Sequence, residues 1–446
     1  MPGKVALHTL GCKLNFSETS TIGNQFLKKG FDIVDFKEKA DVYVLNTCSV
    51  TENAEKECRQ FVRRVQRQNP GAFIIVTGCY AQLRSEELAQ IEGVDVILGS
   101  QEKFKLFSLI DKFEKKDLSC IFVSSTEELN DFGHAHSTDA DSRTRAYLKI
   151  QDGCDYKCSF CTIPLARGKS RSLEPGQVLT EFQALVNEGY KEIILTGVNV
   201  GDYGNSFTGK TNRTNLYQLL KRMMKVEGDF RIRISSIEPN LLTDEILRLT
   251  AVSDKMCKHF HIPLQSGSPT ILKLMQRRYK VEDYSELILK AKKMIPALGI
   301  GVDVIVGFPG ETQTEFLETY TFLNELPISY LHVFTYSERP DTKAITMEKC
   351  VNKSERKKRN HMLRILSAKK RHEFYKSMIG KKLDVLFETE NMAGIIKGFS
   401  SNYVRVSNQF DESLINQITE VEISGVTEDN CTGKINSNPD NVELVA

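Results

Sequence analysis

The 446-residue sequence predicts an α/β chain in three parts. These are an N-terminal open parallel α/β domain over 1–139, a central partial (β/α)6 TIM-like barrel over 140–373, and a small C-terminal β-barrel over 374–446. Three observations carry this. Apolar runs near the start alternate with helix-like stretches, the pattern of strands buried on both faces of a parallel sheet. Six further strand–helix repeats follow, as in an incomplete barrel. The last part turns to short strand-like bursts.

In the first part, Lys4 to Leu10, Asp41 to Thr47 and Phe73 to Thr77 are the apolar runs, and helices are expected at Ser17 to Lys29 and Thr51 to Gln68. Each run leads directly into a cysteine: Cys12, Cys48 and Cys79. Open parallel sheets gather ligands outside the carboxyl ends of their strands. Three cysteines at equivalent strand ends would therefore converge on one edge and offer three thiolates. The plainer reading is three ordinary buried cysteines, which are common. Cys58 and Cys120 are expected only as small core residues. Ser124 to Thr144 reads as a linker or loop.

In the second part, strands are expected at Ala146–Gln151, Glu192–Gly197, Phe230–Ser235, His259–Pro263, Gly301–Gly307 and Tyr330–Thr335. Just beyond the first lie Cys154, Cys158 and Cys161, a C-x3-C-x2-C array. Four thiolates complete a 4Fe-4S cubane, and structural zinc also takes four ligands. A local count of three suits a cluster with one open position; a zinc or redox cysteine group is the alternative. Phe160 precedes the third cysteine, and Arg167, Lys169 and Arg171 follow. Other strand ends carry groups that a bound cofactor could use: Gly197 and Asn199, Ser235 and Glu238, Gln265, and Asp303.

Lys353 to Ser377 is a basic helix-like connector, ordinarily a solvated face but also able to meet RNA phosphate. Strand bursts follow at Lys382–Thr389, Ala393–Ser400, Tyr403–Ser407, Ile418–Ile423 and Thr432–Ile435. Ser437 to Ala446 reads as a disordered polar tail.

The formal net charge of +2 excludes an argument for polyanion binding from the total alone, so position must decide it. The sequence predicts neither a signal peptide nor a membrane span. Eleven cysteines, an odd number with three packed within eight residues, favour metal binding over disulfides. A cytoplasmic protein is expected.

The C-x3-C-x-aromatic-C array resembles the signature of radical S-adenosylmethionine enzymes. That resemblance implies a 4Fe-4S cluster on Cys154, Cys158 and Cys161 whose open iron chelates S-adenosylmethionine, with Phe160 near its adenine. The segments GCKLN, CTIPLARGKSRS, RISSIEP, HIPLQSGS and DVIVGFPGET, spread over nearly the whole chain, are together similar to the methylthiotransferase family. Among its members the chain is most similar to the tRNA enzymes acting on N6-threonylcarbamoyladenosine; sister groups act on N6-isopentenyladenosine or on a ribosomal-protein aspartate. The resemblance implies a second 4Fe-4S cluster on Cys12, Cys48 and Cys79 that presents sulfur. It implies two roles for S-adenosylmethionine, methyl donor and radical source; Phe160 and the strand-end groups Gly197, Asn199, Ser235, Glu238, Gln265 and Asp303 are the expected cofactor contacts. It also implies a TRAM-like last domain and contact with a tRNA anticodon stem-loop through Arg167, Lys169, Arg171, Lys381 and Lys382. Electrons would come from a donor such as flavodoxin or ferredoxin, and a monomer is expected. The acids Asp411, Glu412, Glu420, Glu422, Glu428 and Asp429 depart from a strongly basic RNA-binding surface. An iron-sulfur electron carrier or a zinc-stapled nucleic-acid-binding protein is the rival class; neither needs six βα units.

Overall fold

The computed structural model describes residues 3–49, 52–115, 118–129, 132–136, 144–207 and 214–435. Six strands near the N-terminus form one parallel sheet: β1 (Lys4–Thr9), β2 (Asp32–Val34), β3 (Val42–Thr47), β4 (Phe73–Gly78), β5 (Val96–Leu98) and β6 (Cys120–Phe122), in the order 2-1-3-4-5-6. Every residue of β3 and β4 is buried, as the apolar runs predict. Successive side chains point to opposite faces, so Val42 and Val44 join one core while Tyr43 and Leu45 join the other. Helix α1 (Lys13–Lys28) covers the first core with Ile22 and Phe26; α2 (Glu52–Gln68) covers the second with Cys58, Val62 and Val65. The start of α1 precedes the expected Ser17, because the helix begins directly after Cys12. The strands β2 and β5, three residues each, were too short to register as apolar runs.

The central part is an open arc of parallel strands. Its barrel strands are β7 (Arg145–Lys149), β10 (Glu192–Thr196), β11 (Arg231–Ile234), β12 (His259–His261), β13 (Gly299–Val306) and β14 (Tyr330–Thr335). They form two three-stranded sheets, β11-β10-β7 and β12-β13-β14, joined by a bridge between Ile232 and Met256. The short antiparallel pair β8 (Gln151–Asp152) and β9 (Arg171–Ser172) closes the loop after β7. Alternate strand residues such as Leu148, Ile193, Ile232, Phe260 and Val302 pack on the outer helices. Their neighbours Lys149, Glu192, Arg233, His261 and Asp303 therefore face the lumen, which is polar and ion-paired. α1 fills the seam that six strands leave open, setting Phe16 against Tyr147 and Glu18 against Lys149.

The last five strands, β15 (Lys382–Met392), β16 (Ile395–Ser400), β17 (Arg405–Gln409), β18 (Ile418–Val426) and β19 (Cys431–Ile435), form a closed barrel in the order 15-16-17-19-18. Before it runs the helix Lys353–Lys376. Its basic residues are not all solvated: buried Arg356 and Arg359 pair with Glu338 and Glu311, and Lys370 donates to the carbonyls of Asn324 and Leu326. The expected polar tail lies outside the described residues, as do 130–131 and 137–143 of the expected linker. No helix among the described residues is long and apolar enough to cross a membrane.

Candidate functional site

The order of the first sheet reverses between β1 and β3, the crevice where open α/β sheets bind ligands. Cys12 caps α1 after β1, Cys48 follows β3, and Cys79 opens the short helix α3 (Cys79–Leu83) after β4. The structure brings the three together. A β-carbon on Gly11 would stand 3.0 Å from Cys48 Sγ, and the register that pairs Thr47 with Gly78 sets Cys48 and Cys79 side by side. Gly11 and Gly78 have φ of +110° and +97°. A β-carbon at Gly78 would also come within 2.3 Å of the Thr47 carbonyl, so glycine alone lets β4 turn into α3 beside β3.

Cys154, Cys158 and Cys161 occupy the loop between β8 and β9. Gly153 (φ +68°) lets that loop pass the Lys169 carbonyl, which a β-carbon would approach to 2.0 Å. Backbone N–H groups of Tyr156 and Ile163 donate to the sulfurs of Cys154 and Cys161 at 3.4 Å each, and Arg277 Nη1 donates to Cys158 Sγ at 3.2 Å. Arg277 also holds the Glu238 carboxylate. Burial pushes the Cys154 thiol up to about 11 and Cys161 to about 12. Core cysteines Cys58 and Cys431 are likewise pushed to about 12, so acidity does not single out a site; convergence does. Of the other five cysteines, Cys58, Cys257 and Cys431 are buried elsewhere, Cys120 lies on β6, and Cys350 is in an exposed turn.

A cavity of about 200 Å³ beside Cys161 is lined by Phe160, Gln265, Asp303, Phe334 and Tyr336, among others. Three of the expected cofactor residues thus meet. Gln265 adopts a left-handed conformation (φ +71°), unusual outside glycine and held by its bridge to Val304. Asp303 accepts from His261 Nε2 at 2.8 Å with His332 Nδ1 at 3.4 Å, and these rings hold its carboxyl well below the usual range. Gly197 packs so closely that a β-carbon would reach 2.9 Å from Gln151 Oε1, the oxygen that accepts from the Asn199 N–H at 2.8 Å. Asn199 Nδ2 and Tyr336 Oη are buried without partners. Ser235 is buried, and its N–H donates to Leu195. Arg277 and His332 escaped sequence reasoning, since their partners lie 29–119 residues away.

The two cysteine loops adjoin: Ser49, next to Cys48, has its hydroxyl 3.5 Å from that of Thr162, next to Cys161. Between them Arg167 is 1% exposed. It donates to Glu18 (2.9 and 3.2 Å), Asp152 (3.0 Å) and Asn15 (2.7 Å). The expected RNA contact of Arg167 is therefore corrected: its guanidinium lies inside the protein and is already paired. Arg171 is mostly buried, its Nη1 donating to the carbonyls of Arg167 and Lys169. Lys169, Lys381 and Lys382 are exposed, the last paired with Glu420 at 2.7 Å.

Residues 4–99 match the family described as Uncharacterized protein family UPF0004, and residues 148–323 match the Radical SAM superfamily. Over 94% of its length, and 93% of the relative's, the chain is 42% identical to the threonylcarbamoyladenosine tRNA methylthiotransferase MtaB of Bacillus subtilis. The chain belongs to the methylthiotransferase family of radical S-adenosylmethionine enzymes. This methylthiotransferase is also 38% identical to the Aquifex aeolicus MtaB over 91% of its length and 97% of the relative's. It is 33% identical to the tRNA-2-methylthio-N(6)-dimethylallyladenosine synthase of Clostridium botulinum strain Hall, with 97% of each covered. A solved radical S-adenosylmethionine methyltransferase, TsrM from Kitasatospora setae, shares the fold with a TM-score of 0.55 at 14% identity, over 89% of this chain and 81% of that one. The superfamily implies a 4Fe-4S cluster and S-adenosylmethionine. The residues of the methylthiotransferase fit both: three thiols with N–H donors aimed at their sulfurs, and an adjoining cavity in which Tyr336 Oη is buried without a partner.

Proposed function

We propose that this methylthiotransferase inserts a methylthio group at C2 of N6-threonylcarbamoyladenosine next to the anticodon of tRNA, using two 4Fe-4S clusters. The observation that carries the two-cluster reading is the adjacency of two three-cysteine sets, Cys12, Cys48, Cys79 and Cys154, Cys158, Cys161. When bound, the groups supply a 5′-deoxyadenosyl radical at one set and a sulfur that accepts a methyl group at the other. The chain's own side chains hold, orient and shield these groups. Arg277 and two backbone N–H groups donate to the sulfurs of one set. Phe160, Gln265 and Asp303 line the adenosyl cavity, with Gly197, Asn199, Ser235 and Glu238 on the neighbouring strand ends.

The substrate reading rests on relatives. Four MtaB enzymes that share 34–42% identity are named for threonylcarbamoyladenosine. A cavity of about 650 Å³ beside β14 and the C-terminal barrel supports RNA entry. It is lined by Arg364 and Arg371, cations for phosphate, beside the mutually stacked rings of Phe399 and Tyr403. A monomer reduced by flavodoxin or ferredoxin completes the reading. Mass analysis of nucleosides from tRNA of a deletion strain is expected to show the methylthio group lost from threonylcarbamoyladenosine while methylthio-isopentenyladenosine persists. Unchanged threonylcarbamoyladenosine, or loss confined to the isopentenyl nucleoside or a ribosomal protein, rejects the substrate.

A further inference from the structure

Arg167 joins the two cysteine sets through one guanidinium. It lies six residues after Cys161, at the end of the helix Ile163–Arg167. One nitrogen bonds Asp152, two residues before Cys154; both reach Glu18 on α1, the helix that Cys12 caps. Its other contact is Asn15 Oδ1 at 2.7 Å. Asn15 Nδ2 in turn donates to the Leu10 and Thr47 carbonyls at 2.9 and 3.0 Å, just ahead of Cys12 and Cys48. Asn15 is 1% exposed, Glu18 is fully buried and Asp152 is 4% exposed. Lys149 and Lys103 brace the same carboxylates, at 2.7 Å from Asp152 and 2.6 Å from Glu18.

We propose that Arg167 is a positioning residue that sets the spacing and orientation of the Cys12–Cys48–Cys79 set relative to the Cys154–Cys158–Cys161 set. The inference rests on the two-cluster reading above and adds the part that couples them. Charge alone does not perform this role. A planar fork that engages Asp152, Glu18 and Asn15 together fixes direction as well as distance, which a lysine ammonium at the same place cannot do. The two carboxylates remain braced by Lys149 and Lys103 when Arg167 is replaced, so a folded variant is expected. Transfer between two sites tolerates little error, and a displacement of about 1 Å costs roughly 100-fold.

The test compares wild type with Arg167→Lys and Arg167→Gln after anaerobic reconstitution. Three readouts are taken: iron per chain, 5′-deoxyadenosine formed without tRNA, and the magnetic interaction between the two reduced clusters by electron paramagnetic resonance. With tRNA added, 5′-deoxyadenosine per methylthio product is counted. Both variants are expected to keep wild-type iron and tRNA-free cleavage. Their cluster–cluster interaction shifts, and 5′-deoxyadenosine per product rises by about 100-fold in Arg167→Gln and less in Arg167→Lys. Loss of iron in both variants would assign Arg167 to fold stability, and an unchanged interaction with unchanged coupling would leave it no positioning role; either result overturns the proposal. A wild type that ignores tRNA overturns the substrate reading instead, and the resonance comparison, which needs no tRNA, still decides the role of Arg167.

Discussion

Cys158→Ala is expected to abolish both cleavage of S-adenosylmethionine and formation of methylthio product, whereas Cys12→Ala keeps cleavage measurable and abolishes product alone. The two cysteines belong to separate sets on separate domains. Cys158 accepts from Arg277 within the loop between β8 and β9, beside the cavity lined by Phe160 and Gln265. Cys12 caps α1 at the edge of the N-terminal sheet. Disturbing the groups around a metal ligand typically costs 10–100-fold, so removing a ligand outright should exceed about 100-fold in whichever activity depends on it. High-performance chromatography of 5′-deoxyadenosine, with and without tRNA, reads the first activity; nucleoside mass analysis reads the second. Equal loss of cleavage in both variants would refute the division of labour.

Glu192→Ala is expected to destabilise the protein by about 3–5 kcal/mol, the usual cost of removing one partner from a buried ion group. Glu192 is fully buried on β10 and holds two arginines of β11, Arg231 at 2.6 Å and Arg233 at 2.7 and 2.9 Å. Those arginines donate onward to carbonyls of Asp384, Phe399, Ser400 and Ser401 in the C-terminal barrel. Without the carboxylate, two buried cations lose their counter-charge and the docking of that barrel loses its anchor. The guanidinium groups hold the Glu192 carboxyl well below the usual carboxylate range. A lowered folded value means that its stabilising contribution is complete above the unfolded value of about 4.3 and is lost as pH falls from there towards the folded value. Urea titrations from neutral pH downward should show a shallower acid loss in Glu192→Gln than in wild type. An acid profile identical to wild type, or a melting temperature unmoved in Glu192→Ala, would remove Glu192 from this role.

What the sequence made legible follows from the range of the forces involved. Continuous apolar runs such as Phe73–Thr77 announce strands buried on both faces, and the C-x3-C-x2-C spacing is local by nature. The three N-terminal cysteines, 31–36 residues apart, were readable because each ends an apolar run, and parallel topology aligns those ends. Arg167 was misread for the opposite reason. Arg167, Lys169 and Arg171 look alike along the chain, yet only Arg167 has Glu18, 149 residues away, to take it into the interior. Glu18 itself sits among Asn15, Ser17, Thr19 and Ser20, a polar stretch that is buried because the seam of the barrel is polar. Arg356, Arg359 and Lys370 show the same effect in the basic helix: three of its cations are internal braces, a role that charge counting along the sequence hides.

Iron and acid-labile sulfide, measured per chain after anaerobic reconstitution of the wild-type protein, test the central claim of two three-cysteine clusters most directly. About eight irons and about eight sulfides are expected, four of each per cubane, falling to about half when Cys12, Cys48 and Cys79 are replaced together. A wild-type value near four irons, or zinc in place of iron, would contradict it.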